Sequence, residues 1–252
     1  MAGVLVVVLA ATLLSLPRGM GRAKAKPAMT SLLAKAPAIN RLSVARFFLF
    51  GARDIWFVVA VPIFLYEVAG WRFVEVSTFL ALWVVGYGIV QALAPRLIDA
   101  TAQGLEREVK ATRLWVLGLA ALPLVLILAL MPVVPWPLLV DYALSPATPV
   151  TVAGGALAIG LGLFGAVFAI NSSLHSYLIL AYSRAEDVAM DVGFYYMANA
   201  GGRLVGCLLS GLVYQAAGLV GSLAAASLFL FASWLAALTL PIDTSRASAI
   251  SA

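Results

Sequence analysis

Polar side chains that fall inside apolar runs are the residues of this chain that could do chemistry, and an arginine leads them. Arg203 lies well inside an apolar run near 189–214, with no acid nearer in that run than Asp191. A charge at bilayer depth costs roughly 2.5–3.5 kcal/mol on insertion scales, so it is kept where it is paired or lines an aqueous cavity. Tyr196, Asn199 and Arg203 follow at steps of three and four, which puts a hydroxyl, an amide and a guanidinium on one helical face. A guanidinium grips phosphate or carboxylate through two parallel hydrogen bonds, so the stripe suits an anionic ligand. The bland alternative is that Arg203 pairs with an acid on a neighbouring helix. Arg53, inside the run near 47–70, is either a second anion contact or a structural cation. Asp54 points about 100° away from Arg53 around the helix, which predicts a separate job; coupling or gating is one candidate, although two nearby arginines argue against its carrying a proton. Phe79, Trp83, Tyr87 and Gln91 recur every four residues. The first two read as packing, whereas Tyr87 and Gln91 add polar groups facing a ligand. Asn171 and His175 share a face at i and i+4, giving a gating or relay pair unless His175, near a helix end, is simply hydrated.

The elements that must position these residues are membrane helices. Of 252 residues 63% are hydrophobic and 11% charged, which excludes a soluble surface. A partial segment at 2–16 precedes six fuller runs near 47–70, 74–95, 114–135, 150–180, 189–214 and 219–241. Runs such as Leu114 to Val134 are apolar on every side, so the expected fold is an all-α polytopic membrane protein and not a barrel with period two. The segment at 2–16 is short for a span, and the start Met1-Ala2-Gly3 lacks the positive charge of a signal peptide. It reads as the tail end of a helix beginning upstream, in a chain truncated at its N-terminus. The expected domains are a partial helix at 1–16, a basic cytoplasmic linker at 17–46, a six-helix bundle at 47–241 and a cytoplasmic tail at 242–252.

Lys and Arg set the orientation. Thirteen of the 16 basic residues fall in connections on one side if the six runs alternate, among them Arg18, Arg22, Lys24, Lys26, Lys35, Arg41, Arg46, Arg96, Arg107, Lys110, Arg113, Arg184 and Arg246. The opposite connections offer Arg72 alone. The reading is a multi-pass inner-membrane protein with its C-terminus in the cytoplasm. The net charge of +5 therefore serves topology, and nucleic acid is not an expected partner. One cysteine, Cys207, and one histidine exclude a disulfide scaffold and a zinc site, so no metal or cofactor is expected. Gly160-Leu161-Gly162-Leu163-Phe164-Gly165 fits a dinucleotide fingerprint only as a string, since no strand precedes it; it reads as a packing row. Gly-Lys never occurs, so nothing points to ATP hydrolysis, and no enzyme is expected. Rows of small residues, Ala198, Gly202, Gly206, Ser210 and Ala158, Gly162, Ala166, predict close helix approach.

Six alternating helices after a long basic connection resemble the second half of a major facilitator superfamily carrier, in which two six-helix halves hold substrate near midplane. Three stretches resemble its organoarsenical efflux permeases, the ArsJ group. They run from Ala45 through Arg53 and Asp54 to Val59, from Gly86 through Tyr87 and Gln91 to Ala92, and from Asp191 through Tyr196 and Asn199 to Arg203. The resemblance covers nearly the whole chain. It implies secondary export of 1-arseno-3-phosphoglycerate, a functional link to the glyceraldehyde-3-phosphate dehydrogenase that makes it, and arsenate resistance. Competing readings are an exporter of a drug or sugar phosphate with the same fold, and a non-transporting membrane subunit.

Overall fold

A computed structural model describes residues 2–15, 36–99, 104–130, 150–184 and 187–242. The first of these forms α1, Ala2–Ser15, in a unit separate from the rest; its Ser15 hydroxyl donates to the Thr12 carbonyl at 3.2 Å. Of the predicted linker at 17–46, residues 17–35 lie outside the described residues, as does the tail beyond 242.

The second unit is built of helices: α2 (Pro37–Phe57), a short α3 (Ala60–Ile63) running into a π-helical turn (Phe64–Val68), α4 (Phe73–Asp99), α5 (Leu105–Leu130), α6 (Val150–Tyr182) and α7 (Val188–Leu238). Five stretches are long and apolar enough to cross a membrane, and no strand occurs among the described residues. The 51 residues of α7 would reach roughly 75 Å at 1.5 Å per residue, far beyond a hydrocarbon core of about 30 Å. The helix breaks at Gly218, where φ 59° and ψ −157° are open to glycine and not to a side chain. Two arms result, and contacts with α2 give their directions. Along α2, Gly51 and Asp54 meet Gly206, then Val59 meets Ser210, so the first arm runs parallel; Ala45 meets Ser233 and Gly51 meets Phe229, so the second runs back. The same test sets α4 parallel to α6, through Trp83 to Leu161 and Gln91 to Ser173, and α5 antiparallel to it, through Thr112 to Asn171 and Leu126 to Gly160. Every pairing fits six alternating arms. Arg41, Arg113 and Arg184 therefore share one end of the bundle, while Arg72 lies at the other.

The first full helix begins ten residues before the predicted boundary. Pro37 starts it, since a missing N–H costs nothing in the first turn. Arg41 and Arg46 read in sequence as linker charges; instead Arg41 donates to the Thr239 carbonyl at 2.8 Å and Arg46 is buried. Further along, Pro62 has no N–H to give the Val58 carbonyl and its ring crowds it, which interrupts the helix at Val58–Val59. The Val59 N–H then donates to the Ser210 hydroxyl at 3.1 Å. Packing at the centre is aromatic: Trp56 meets Phe164 edge-on at 5.0 Å and Phe50 meets Phe168 at 4.9 Å. Leu82, Leu114, Leu128, Leu204, Leu208 and Leu212 are exposed, as lipid-facing side chains are.

Of the row Ala198, Gly202, Gly206, Ser210, the last three make the expected close approach, and the helix they meet is α2. A side chain on Gly202 would run into the Phe47 carbonyl, and a Cβ on Gly206 would stand 2.5 Å from the Gly51 oxygen. The row Ala158, Gly162, Ala166 is corrected, since Gly162 faces open space. The close approaches of α6 are Gly160 against Leu126 and Gly165 against Trp83, because the 3.6-residue turn rotates those two toward α5 and α4.

Candidate functional site

Asp54 is the centre of the polar residues at depth. Its carboxylate is 1% exposed and accepts from two arginines. Arg53 donates from Nε to Oδ1 at 2.7 Å, with Nη2 at 2.6 Å from the same oxygen; Arg203 donates from Nε to Oδ2 at 3.0 Å. The Cys207 thiol stands 3.9 Å from Oδ2. The two neighbours on α2, expected to do separate jobs because their bonds diverge, share one: the long Arg53 side chain curls back to Asp54. Local chemistry explains how Arg203 reaches it. With glycine at 202 and 206, the first arm of α7 touches the α2 backbone, and Asp54 Cβ lies 3.0 Å from the Cβ position of Gly206. A larger residue there would hold the guanidinium away.

The pairing does not close the site. Arg203 remains 55% exposed while its partner is buried, and Arg53 is 13% exposed, over the rings of Phe50 and Phe168 at 5.0 and 5.4 Å. One carboxylate cannot neutralise two guanidiniums, so the cluster carries a net positive charge, part of it on the exposed Arg203. Tyr196, one turn and more before Arg203, is 50% exposed, and Met197 and Leu204 beside them are exposed too. Asn199 lies between on the same helix with its Oδ1 buried and without a hydrogen bond. On α4, Tyr87 stacks on Trp83 at 5.6 Å and leans on Phe168 at 5.9 Å, while Gln91 offers its backbone carbonyl to the Ser173 hydroxyl at 3.4 Å. Trp83 and Phe79 are packing residues, as expected: Trp83 Nε1 donates to the Leu161 carbonyl at 2.8 Å, and Phe79 meets Trp71 edge-on at 5.5 Å.

Asn171 and His175 fall apart from this cluster. Asn171 turns to α5, where Nδ2 donates to the Thr112 carbonyl at 3.4 Å. His175 is not hydrated: it is fully buried, and neither ring nitrogen has a hydrogen-bond partner. Its depth follows from α6, which runs on to Tyr182 and buries two further turns beyond it.

Sequence reading missed Arg46, counted among the connection charges. Its guanidinium is 3% exposed, donates through Nη1 to the Ser172 carbonyl and hydroxyl at 3.3 and 3.1 Å, and lies over Phe50 at 3.9 Å and Tyr195 at 4.9 Å. Arg46 and Arg53 stand 3.9 and 5.0 Å from the same Phe50 ring, so their charges are no more than 8.9 Å apart. Tyr87, Tyr195 and Tyr196 are within electrostatic range of Arg46. The signal was present: Arg46, Phe50 and Arg53 sit at i, i+4 and i+7, one face of a helix.

No protein-family model, curated protein or solved structure matches this chain.

Proposed function

We propose that this chain forms a six-helix bundle of the major facilitator type which exports an organic anion by secondary transport, and that 1-arseno-3-phosphoglycerate is the solute. The basic end of the bundle faces the cytoplasm in this reading, in keeping with the bias of Lys and Arg toward that side, and the C-terminus lies there too. A glyceraldehyde-3-phosphate dehydrogenase supplies the solute, and arsenate resistance follows from its removal. Arg203 and Arg53 grip the anion, Tyr196, Asn199, Tyr87 and Gln91 line its path, and Asp54 holds the two guanidiniums until it arrives.

One observation carries the proposal. Two guanidiniums at bilayer depth share a single carboxylate, and one of them is 55% exposed. A structural ion pair needs one cation for one acid, and a further cation adds desolvation cost without an acid to offset it. An exposed second cation is instead ready to exchange part of its bond to Asp54 for a charge-assisted bond to an oxyanion. The identity of the solute rests on the sequence resemblance.

Expression in arsenate-sensitive cells that also make the dehydrogenase tests both parts. The chain is expected to protect, and Arg203→Ala to lower export at least about tenfold, the loss of one charge-assisted bond, while still inserting in the membrane. Undiminished export by Arg203→Ala removes this residue from the site. Absent protection combined with export of another phosphorylated anion favours the sugar-phosphate reading, which the net positive charge fits equally well.

A further inference from the structure

At the basic end of the bundle lies a second cation that the proposed transport site does not use. Arg46 is 3% exposed, and among the described residues it has no carboxylate within ion-pair distance. An unpaired buried charge is strongly destabilising, and two aromatic faces with one serine compensate it only in part. Buried polar groups around it are unmet, and the imbalance among them is one of charge. Arg46 Nε has no acceptor, and the Tyr195 hydroxyl lies toward Ser176 and Arg46 without completing a hydrogen bond to either. His175, three residues along α6 from the Ser172 that Arg46 grips, is fully buried with both ring nitrogens unpartnered, so its one N–H is a third donor. Asn171 Oδ1 is an unpartnered acceptor beside them, one turn before His175. Unmet buried donors are costly, and Arg46 Nε, the Tyr195 hydroxyl and one His175 N–H, gathered about an unneutralised guanidinium, call for an acceptor that carries negative charge.

We infer that Arg46, Tyr195 and His175 form a buried site for a monatomic inorganic anion, chloride in the cell. Burial decides against an organic ligand: Tyr195, Ser172 and His175 are each fully buried and Arg46 is 3% exposed, so the group presents no open face to a larger molecule. The anion neutralises Arg46 and joins α2, α6 and the first arm of α7 where no side-chain acid does. The site is independent of the transport reading.

The test compares thermal unfolding of the full chain in lipid nanodiscs in sodium gluconate and in sodium chloride at constant ionic strength. Chloride is expected to raise the midpoint saturably, by about 2–4 °C, as a ligand of the folded state does. Arg46→Gln is expected to abolish the chloride dependence and to unfold no lower in gluconate than the unsubstituted chain, since the unpaired charge has gone. Tyr195→Phe, which keeps the ring over Arg46, is expected to weaken the apparent chloride affinity about tenfold, the value of one hydrogen bond to an ion. The inference is overturned by a midpoint indifferent to chloride, by an undiminished chloride response in Arg46→Gln, or by a response to phosphate with none to chloride. If Arg46→Gln fails to insert, Tyr195→Phe decides alone, and an unchanged affinity in it overturns the site.

Discussion

The seam between α2 and α7 and the seam between α4 and α6 solve the same problem in opposite ways. Along α2 the side chains are removed: Gly202 lies against the Phe47 carbonyl, and Gly206 and Gly51 let two backbones touch. Along α4 a large side chain fills the gap, with Trp83 set into the space over Gly165 and tied to the Leu161 carbonyl, while Leu82, Val85 and Ile89 on the same helix are exposed. Helices in lipid have no hydrophobic drive between them, so each seam depends on packing and hydrogen bonds alone. Backbone contact leaves nothing able to adjust. An aromatic cushion can re-pack. The ion cluster is in the rigid seam, where Asp54 and Arg203 from separate helices stay in register; the aromatic seam holds Tyr87 and Gln91, whose positions tolerate more movement.

The largest effect is expected from removing the acid that spans the rigid seam. Asp54→Ala leaves two guanidiniums side by side without a partner, a loss of about 3–5 kcal/mol in unfolding free energy for a broken buried pair. Removing both partners with Asp54→Ala and Arg203→Ala is expected to restore part of it. Denaturant unfolding in mixed micelles reads both, and a double variant as weak as the single one breaks the claim that charge, and not helix contact, is the cause. Next comes Gly206→Leu, which forces the two backbones apart and is expected to cost about 1–3 kcal/mol, with loss of the proposed export because Arg203 no longer reaches Asp54. Trp83→Phe removes one hydrogen bond from the cushioned seam but leaves an aromatic ring, an expected loss of about 1 kcal/mol with export retained. If Trp83→Phe costs more than Gly206→Leu, the ranking of the two seams is reversed. Smallest is Gly162→Leu, where a side chain meets open space: less than about 0.5 kcal/mol by the same measurement.

Much of this architecture could be read along the chain. The runs ending near 214 and beginning near 219 anticipated the break at Gly218, and the alternation expected of the six runs agrees with every helix pairing. The site was half visible. Arg203 and Arg53 stood out because charges are rare in apolar runs, and the glycine row at 202 and 206 announced a close approach. That both arginines would turn to Asp54 was not visible, since neighbours on a helix diverge by about 100° and only a flexible side chain brings them back. Arg46 was misread because a lone arginine near a predicted boundary looks like an interfacial charge, whereas ten further residues of helix draw it inward. The depth of His175 was missed for the same reason at the far end of α6.

Composition, run length and spacing fixed the all-helical class, the number of arms and the place of Arg53 and Arg203 within them, because insertion cost and helical period act on each segment by itself. Which guanidinium meets which carboxylate, which charge has none, and which polar face remains open were settled only when the helices met. Those outcomes depend on the sizes of side chains on three or four segments at once, and a glycine at 206 matters to Arg203 solely through what stands opposite it on α2.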